Sequence, residues 1–271
     1  MVSNLLEADV ENVLDAAFAG DDQELFVVDP SAETIVSLVE AAIDRDDLPE
    51  MSMLVDERTL KDVMEDFLVA SKAADLVADG VLDLRLLGET VDNALFVSPS
   101  RVVVLVSTDD RVAALASDDD EFVAEVFETH SDAFADAETY GLRTPAISRV
   151  RETMAAEIGE ATREDFDAVL AAMDSARGAD GEVDEVTVAL LVAAKNDVLL
   201  YDISKWGEDV GIASKATFSR TKTRLEDLGI IDTEKVPIDV GRPRLRLKLG
   251  DERLNGLDAA ELAAEVAEMM A

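Results

Sequence analysis

Apolar positions change their period along this chain. Over residues 1–18, Leu5, Leu6, Val10, Val13, Leu14 and Phe18 recur at helical spacing and predict an opening helix. After it, short apolar runs alternate with amphipathic segments. Leu25–Val28 predicts a buried strand, Asp29-Pro30-Ser31 a helix entry, and 32–45 a helix. Met51–Val55 predicts a second strand, followed by one helix through Leu60, Val63, Met64, Phe67 and Leu68. A third β region covers 81–87. Ser98-Pro99-Ser100-Arg101 joins 94–97 to 102–106 as a hairpin, Val112–Ala116 adds an edge strand, and a helix spans about 119–136. Strands alternating with helices imply an α/β N-terminal layer domain, a mixed sheet with helices.

Tyr140 to Pro145 has turn chemistry and reads as the domain boundary. Beyond it the period is helical at about 146–158, 164–177 and 183–195, with Thr162 and Asp165 spaced as a helix N-cap and its third residue. A short helix at 203–210, a turn at Gly211–Ser214 and a second helix at 215–228 follow. In the second helix Phe218, Leu225 and Leu228, with Thr221 between, share one stripe. At 100° per residue, Ala216, Arg220 and Thr223 point outward, Ser219 and Arg224 lie on the flanks, and Lys222 sits nearer the inward edge. Leu228-Gly229-Ile230-Ile231 then leaves the helix for a strand pair, 230–236 and 245–249. Arg242, Arg244, Arg246 and Lys248 alternate with Leu245, Leu247 and Leu249, so period two puts the cations on one hairpin face and the leucines against the helices. The fold class is therefore an α/β N-terminal domain followed by a mostly α C-terminal winged helix-turn-helix. The organisation reads as 1–139 for effector sensing and dimerisation, 140–160 a connecting helix, 161–255 the winged helix, and 256–271 a terminal helix. The terminal stripe Leu262, Val266, Met269 and Met270 suits either a partner protomer or its own winged domain.

Charge sharpens this picture. Lys+Arg total 24 against 61 Asp+Glu, a net −37 over 271 residues. Between Ser214 and Lys248, however, nine cations face five acids, a local +4 that leaves −41 elsewhere. A chain so acidic that gathers nine of its 24 cations here is expected to meet a polyanion here. The scattered acids suit a protein working in concentrated salt, where screening acts over about 3 Å at 1 M. With 48% hydrophobic residues there is ample material for cores, so the acidity does not signal disorder.

Catalytic chemistry is thinly supplied. There is no cysteine, which excludes disulfides and thiol catalysis, and the only histidine, His130, lies within a helix and reads as a packed or surface side chain. Ser98, Ser100 and Ser107 lack a nucleophile-elbow context, no glycine-rich phosphate loop occurs, and no acid pair stands out. No catalytic, metal or cofactor set is expected. No signal peptide or membrane-length apolar segment is visible, so a cytoplasmic protein is expected. Arg58, Lys61 and Arg101 near the strand ends could meet an anionic effector, but ordinary ion pairs to neighbouring acids explain them better.

The combined pattern of Ser214 to Arg220, then Arg224-Leu225-Glu226-Asp227-Leu228-Gly229-Ile230-Ile231, resembles the recognition helix and exit of prokaryotic winged-helix regulators. With the Tyr140–Pro145 boundary and the acidic bias, the whole chain is similar to the haloarchaeal TbsP-like transcription regulators, associated with control of sugar-metabolism genes alongside the TrmB regulator. That resemblance implies a sequence-specific regulator of sugar and central carbon metabolism genes. The expected partners are double-stranded promoter DNA, a second copy of the chain as homodimer, and a small-molecule effector. Lys215, Thr217, Ser219 and Arg220 are expected to reach bases or nearby phosphates, and Arg224, Arg242, Arg244 and Arg246 to hold backbone. Two rival classes stand beside this reading: an adaptor whose winged helix binds protein, and an α/β enzyme with a regulatory tail.

Overall fold

A computed structural model describes residues 3–7, 23–43, 45, 48–88, 93–108, 111–175, 183–237 and 243–270. The chain divides into two compact units, Met1–Ala146 and Ile147–Ala271.

In the first unit, seven strands among the described residues form one mixed sheet: β1 (Ser3–Glu7), β2 (Glu24–Val28), β3 (Glu50–Val55), β4 (Leu82–Leu86), β5 (Leu95–Ser98), β6 (Arg101–Thr108) and β7 (Arg111–Ser117). Their order is β1-β7-β6-β5-β2-β3-β4. The β2–β3–β4 pairs are parallel and all others antiparallel. The continuous apolar run of β2 is explained by burial on both faces. Leu25 and Val27 pack with α1 (Ala32–Ile43), α2 (Glu57–Val63) and α3 (Phe67–Ala78). Phe26 and Val28 pack on the other face with Val123 and Phe134 of α4 (Asp120–Asp136). The chain after α4 returns to the β4 edge, where Leu86 N–H donates to Glu138 O and Tyr140 N–H to Leu84 O, each at 2.8 Å, covering a donor and an acceptor that an open edge would expose.

Three expectations for this unit are corrected. Residues 3–7 form an edge strand rather than the start of a helix: Leu5 pairs with Ala114, so a partner more than a hundred residues away overrides the local period. The rest of that predicted helix, 8–18, lies outside the described residues. It follows that β7 is an inner strand, paired on both sides. The single helix expected after β3 is two, because Asp66 accepts the Leu68 and Val69 N–H groups and starts α3 afresh.

The second unit is built round α7 (Glu185–Lys195), in which every residue from Val186 to Ala194 is buried. A helix apolar on all sides needs neighbours on all sides. Here they are α6 (Glu160–Ser175), α8 (Leu200–Val210), α9 (Lys215–Asp227) and the antiparallel pair β8 (Ile231–Val236) and β9 (Arg244–Leu249). Before α6 lies α5 (Ile147–Glu157), whose Thr153 hydroxyl accepts the indole N–H of buried Trp206 at 3.0 Å, tying α5 to α8. Thr162 is not an N-cap: α6 already begins at Glu160, after Gly159 with φ 142°, and Thr162 is a buried position inside it. The terminal helix α10 (Ala259–Met270) buries Leu262 and Val266 and packs on α6 of its own unit. No helix among the described residues is long and apolar enough to cross a membrane.

Candidate nucleic-acid interface

The helix-turn-helix is set by three local devices. Gly211, at φ 99°, ends α8 in the left-handed region, and the Ile212 N–H closes back on Gly207 O at 2.8 Å. Ser214 then caps α9, its hydroxyl accepting the Thr217 N–H at 3.2 Å. The third is close approach. A Cβ on Gly207 would lie 2.3 Å from the Phe218 ring, so α9 can seat Phe218 against α8 only because position 207 has no side chain.

With Phe218 and Leu225 fully buried, the opposite face of α9 is fixed in solvent. Ala216, Ser219, Arg220, Thr223 and Arg224 are exposed there; Lys215 and Thr217 are half-buried at its start, and Lys222 lies near the inward edge, paired to Glu226 at 2.6 Å. Leu228 departs from the predicted stripe: it is the C-cap residue and is 41% exposed, because the helix ends before its turn reaches the core.

In the hairpin, Leu247 is buried while Leu245 and Leu249 are partly covered. The chain between α7 and α8 adds a short third rung, since Leu199 bridges to Arg246 and the Leu247 N–H donates to Val198 O at 2.9 Å. Arg244 lies over the Tyr201 ring at 4.6 Å and pairs with Asp202 at 3.5 Å. Arg246 pairs with Glu234 at 3.8 Å, its Nε buried without a hydrogen bond, and Lys248 pairs with Asp197 at 2.6 Å. Lys215 pairs with Glu208. Among the described residues neither Arg220 nor Lys235 pairs with a carboxylate; Arg220 donates to the Thr217 hydroxyl at 3.3 Å. Arg242 lies outside the described residues.

The structure thus places the predicted residues it describes in one unit, on α9 and β9. Sequence reasoning missed the groups around them: Gly207, Tyr201, and the carboxylates of Asp197, Asp202 and Glu208. Only the island's cations stood out against the acidic background, and an acid there carries no contrast.

The first unit shows a different kind of feature, an apolar hollow of about 330 Å³ under α4, lined by Leu95, Val102, Val104, Leu115, Phe122 and Val126 with His130 at its side. Burial holds the His130 pKa below its ordinary value. Arg58 and Lys61 are held by Asp62 and Glu57 of their own helix.

The family description "Transcriptional regulator TbsP-like, N-terminal" matches residues 2–145, and "Transcriptional regulator TbsP-like, C-terminal HTH domain" matches residues 146–267. The chain belongs to the TbsP-like transcriptional regulators. Its helix-turn-helix domain is the unit that carries α8, α9 and the hairpin. Among solved structures, it is similar to TrmBL2, described as an archaeal chromatin protein with a novel mode of DNA binding, at 19% identity and a TM-score of 0.37. The match covers 51% of this chain and 54% of that one, so the chain spans about half the length of that structure. A phospholipase D family member, Nuc from Salmonella typhimurium, matches at 12% identity and a TM-score of 0.36, covering 52% of this chain and 99% of that one. No curated protein matches the sequence.

Proposed function

We propose that this protein is a sequence-specific regulator that binds double-stranded promoter DNA through its C-terminal unit. The observation that carries the reading is Arg220: an exposed guanidinium with no carboxylate partner among the described residues, on the outward face of a capped and anchored helix, in a chain of net −37. In a helix-turn-helix this face enters the major groove, where arginine makes a bidentate contact to guanine. Lys215, Thr217, Ser219 and Arg220 contact bases or adjacent phosphates, and Arg224, Arg242, Arg244 and Arg246 hold the backbone. It acts as a cytoplasmic homodimer in a halophilic archaeon, and its family resemblance implies that it controls sugar and central carbon metabolism genes. The N-terminal unit serves dimerisation and effector sensing, and the hollow under α4 offers the space for an effector.

Genome-wide recovery of bound DNA, with and without a change of sugar, tests the reading. The expected result is a shared motif upstream of sugar-metabolism genes, lost in Arg220→Ala. Recovery of a protein partner instead, lost on substitution of Arg244 and Arg246, would establish the adaptor class.

A further inference from the structure

Three cations of the basic island, Lys215, Arg244 and Lys248, are already occupied, and the carboxylates that occupy them come from neighbouring elements. Glu208, near the end of α8, accepts the Lys215 backbone N–H at 3.3 Å through Oε1, while its Oε2 pairs with Lys215 Nζ. Asp202, in the first turn of α8, pairs with Arg244, and Asp197, just after α7, pairs with Lys248. A carboxylate holding both an ammonium and the first amide of a helix takes the donor set that a phosphate oxygen takes at a helix N-terminus. Hydrogen bonds from the Lys215 ammonium and amide hold the Glu208 carboxyl below its ordinary range, so it is an anion at neutral pH. All three pairs are exposed enough to be weak and exchangeable. Arg220, on the outward face proposed to meet base edges, has no carboxylate partner among the described residues.

Resting on the DNA-binding reading above, we propose that Glu208, Asp202 and Asp197 are surrogate phosphates. In the free protein they hold Lys215 at the start of α9 and Arg244 and Lys248 on the hairpin, the cations placed to meet phosphates. On DNA binding each carboxylate is exchanged for a phosphate oxygen, and the released carboxylate takes up a monovalent cation from solution. The consequence is quantitative. Ordinary DNA binders release counterions, and log K falls with log[salt] by about 0.9 per phosphate neutralised. Here one cation leaves the DNA and one is taken up at the freed carboxylate, so the two terms cancel at each exchanged pair. Three such pairs remove a slope contribution of about −2.7.

The test is fluorescence anisotropy of the full chain with a labelled duplex selected from random sequence, titrated in KCl. The wild-type protein is expected to show a shallow slope that persists into molar salt. Glu208→Gln and Asp202→Asn each steepen the slope by about one and tighten binding at the lowest salt by up to about 5-fold. Glu57→Gln removes an exposed carboxylate paired to Lys61 in the other unit, changes net charge by the same amount, and is expected to do neither. Unchanged slopes in the Glu208 and Asp202 variants, at matched circular dichroism, overturn the exchange. The same change in Glu57→Gln also overturns it, because the effect would then be bulk charge. Absence of DNA binding by the wild type at every KCl concentration overturns the DNA reading itself.

Discussion

Arg85 in the first unit and Arg244 in the second each lie over an aromatic ring, at 4.2 Å from Phe134 and 4.6 Å from Tyr201. Their other partners differ. Arg85 donates to the Phe134 carbonyl at 2.7 Å and the Ala135 carbonyl at 3.3 Å, at the end of α4 where the helix dipole favours a cation, and to Asp83 at 3.2 Å. Its side chain is 23% exposed and joins β4 to α4. Arg244 has one carboxylate at 3.5 Å and is 41% exposed. The first guanidinium is committed to the fold; the second is held loosely on the surface. Two arginines with the same ring contact are thus told apart by what the remaining donors do, and only the second can change partners without loss of structure.

The comparison can be broken most severely from inside. Phe218→Ala empties the contact that Gly207 permits and should cost about 3–5 kcal/mol of stability, seen as a lowered denaturant midpoint. Arg85→Ala comes next: it strips the end of α4 of its donors and should cost about 1–3 kcal/mol of stability, with DNA affinity per folded molecule unchanged. Arg220→Ala should do the reverse. It leaves the denaturant midpoint in place and loses about 1–3 kcal/mol of discrimination at one base pair, read by competition among single-position operator variants. Arg244→Ala should weaken all sequences alike, by about 1 kcal/mol or less. An Arg244 effect confined to one base position would assign the wing a reading role and sink the distinction drawn here.

The smallest effect concerns His130. Its pKa is lowered by burial beside the apolar hollow, so the folded state favours neutral imidazole. Between the lowered folded value and the ordinary value near 6.5, the unfolded chain binds more protons. This contribution is therefore fully present above the unfolded pKa and falls away as pH drops through that window. His130→Gln should flatten the stability profile there, measured by thermal melts at fixed KCl.

Much of the second unit was legible because its signals are local. Ser214 as cap, Gly211 as stop, and the Phe218–Leu225 stripe act within one or two turns, and α8 and α9 end and begin where those signals put them. The alternation of Arg244, Arg246 and Lys248 with leucines likewise fixes a strand and its faces. The first unit was legible in the middle of its sheet, where β2 and β3 are buried on both sides. It failed at the edge. The Leu5-Leu6 spacing reads as helical, yet Ser3–Glu7 pairs with Arg111–Ser117 in register, Ser3 with Ala116 and Glu7 with Val112.

What the sequence by itself determined, then, is the kind and placement of most elements and the position of the scarce cations, since periodicity, caps and charge are properties of neighbouring residues. What only the tertiary structure decided is whom each group meets: β1 with β7, Gly207 with Phe218, Lys215 with Glu208, Arg244 with Tyr201 and Asp202. Those partners are separated along the chain, and in a protein with 61 acids no single carboxylate announces which cation it will hold. Packing chooses among chemically equivalent candidates, and that choice divides cations committed to the fold from those free to exchange.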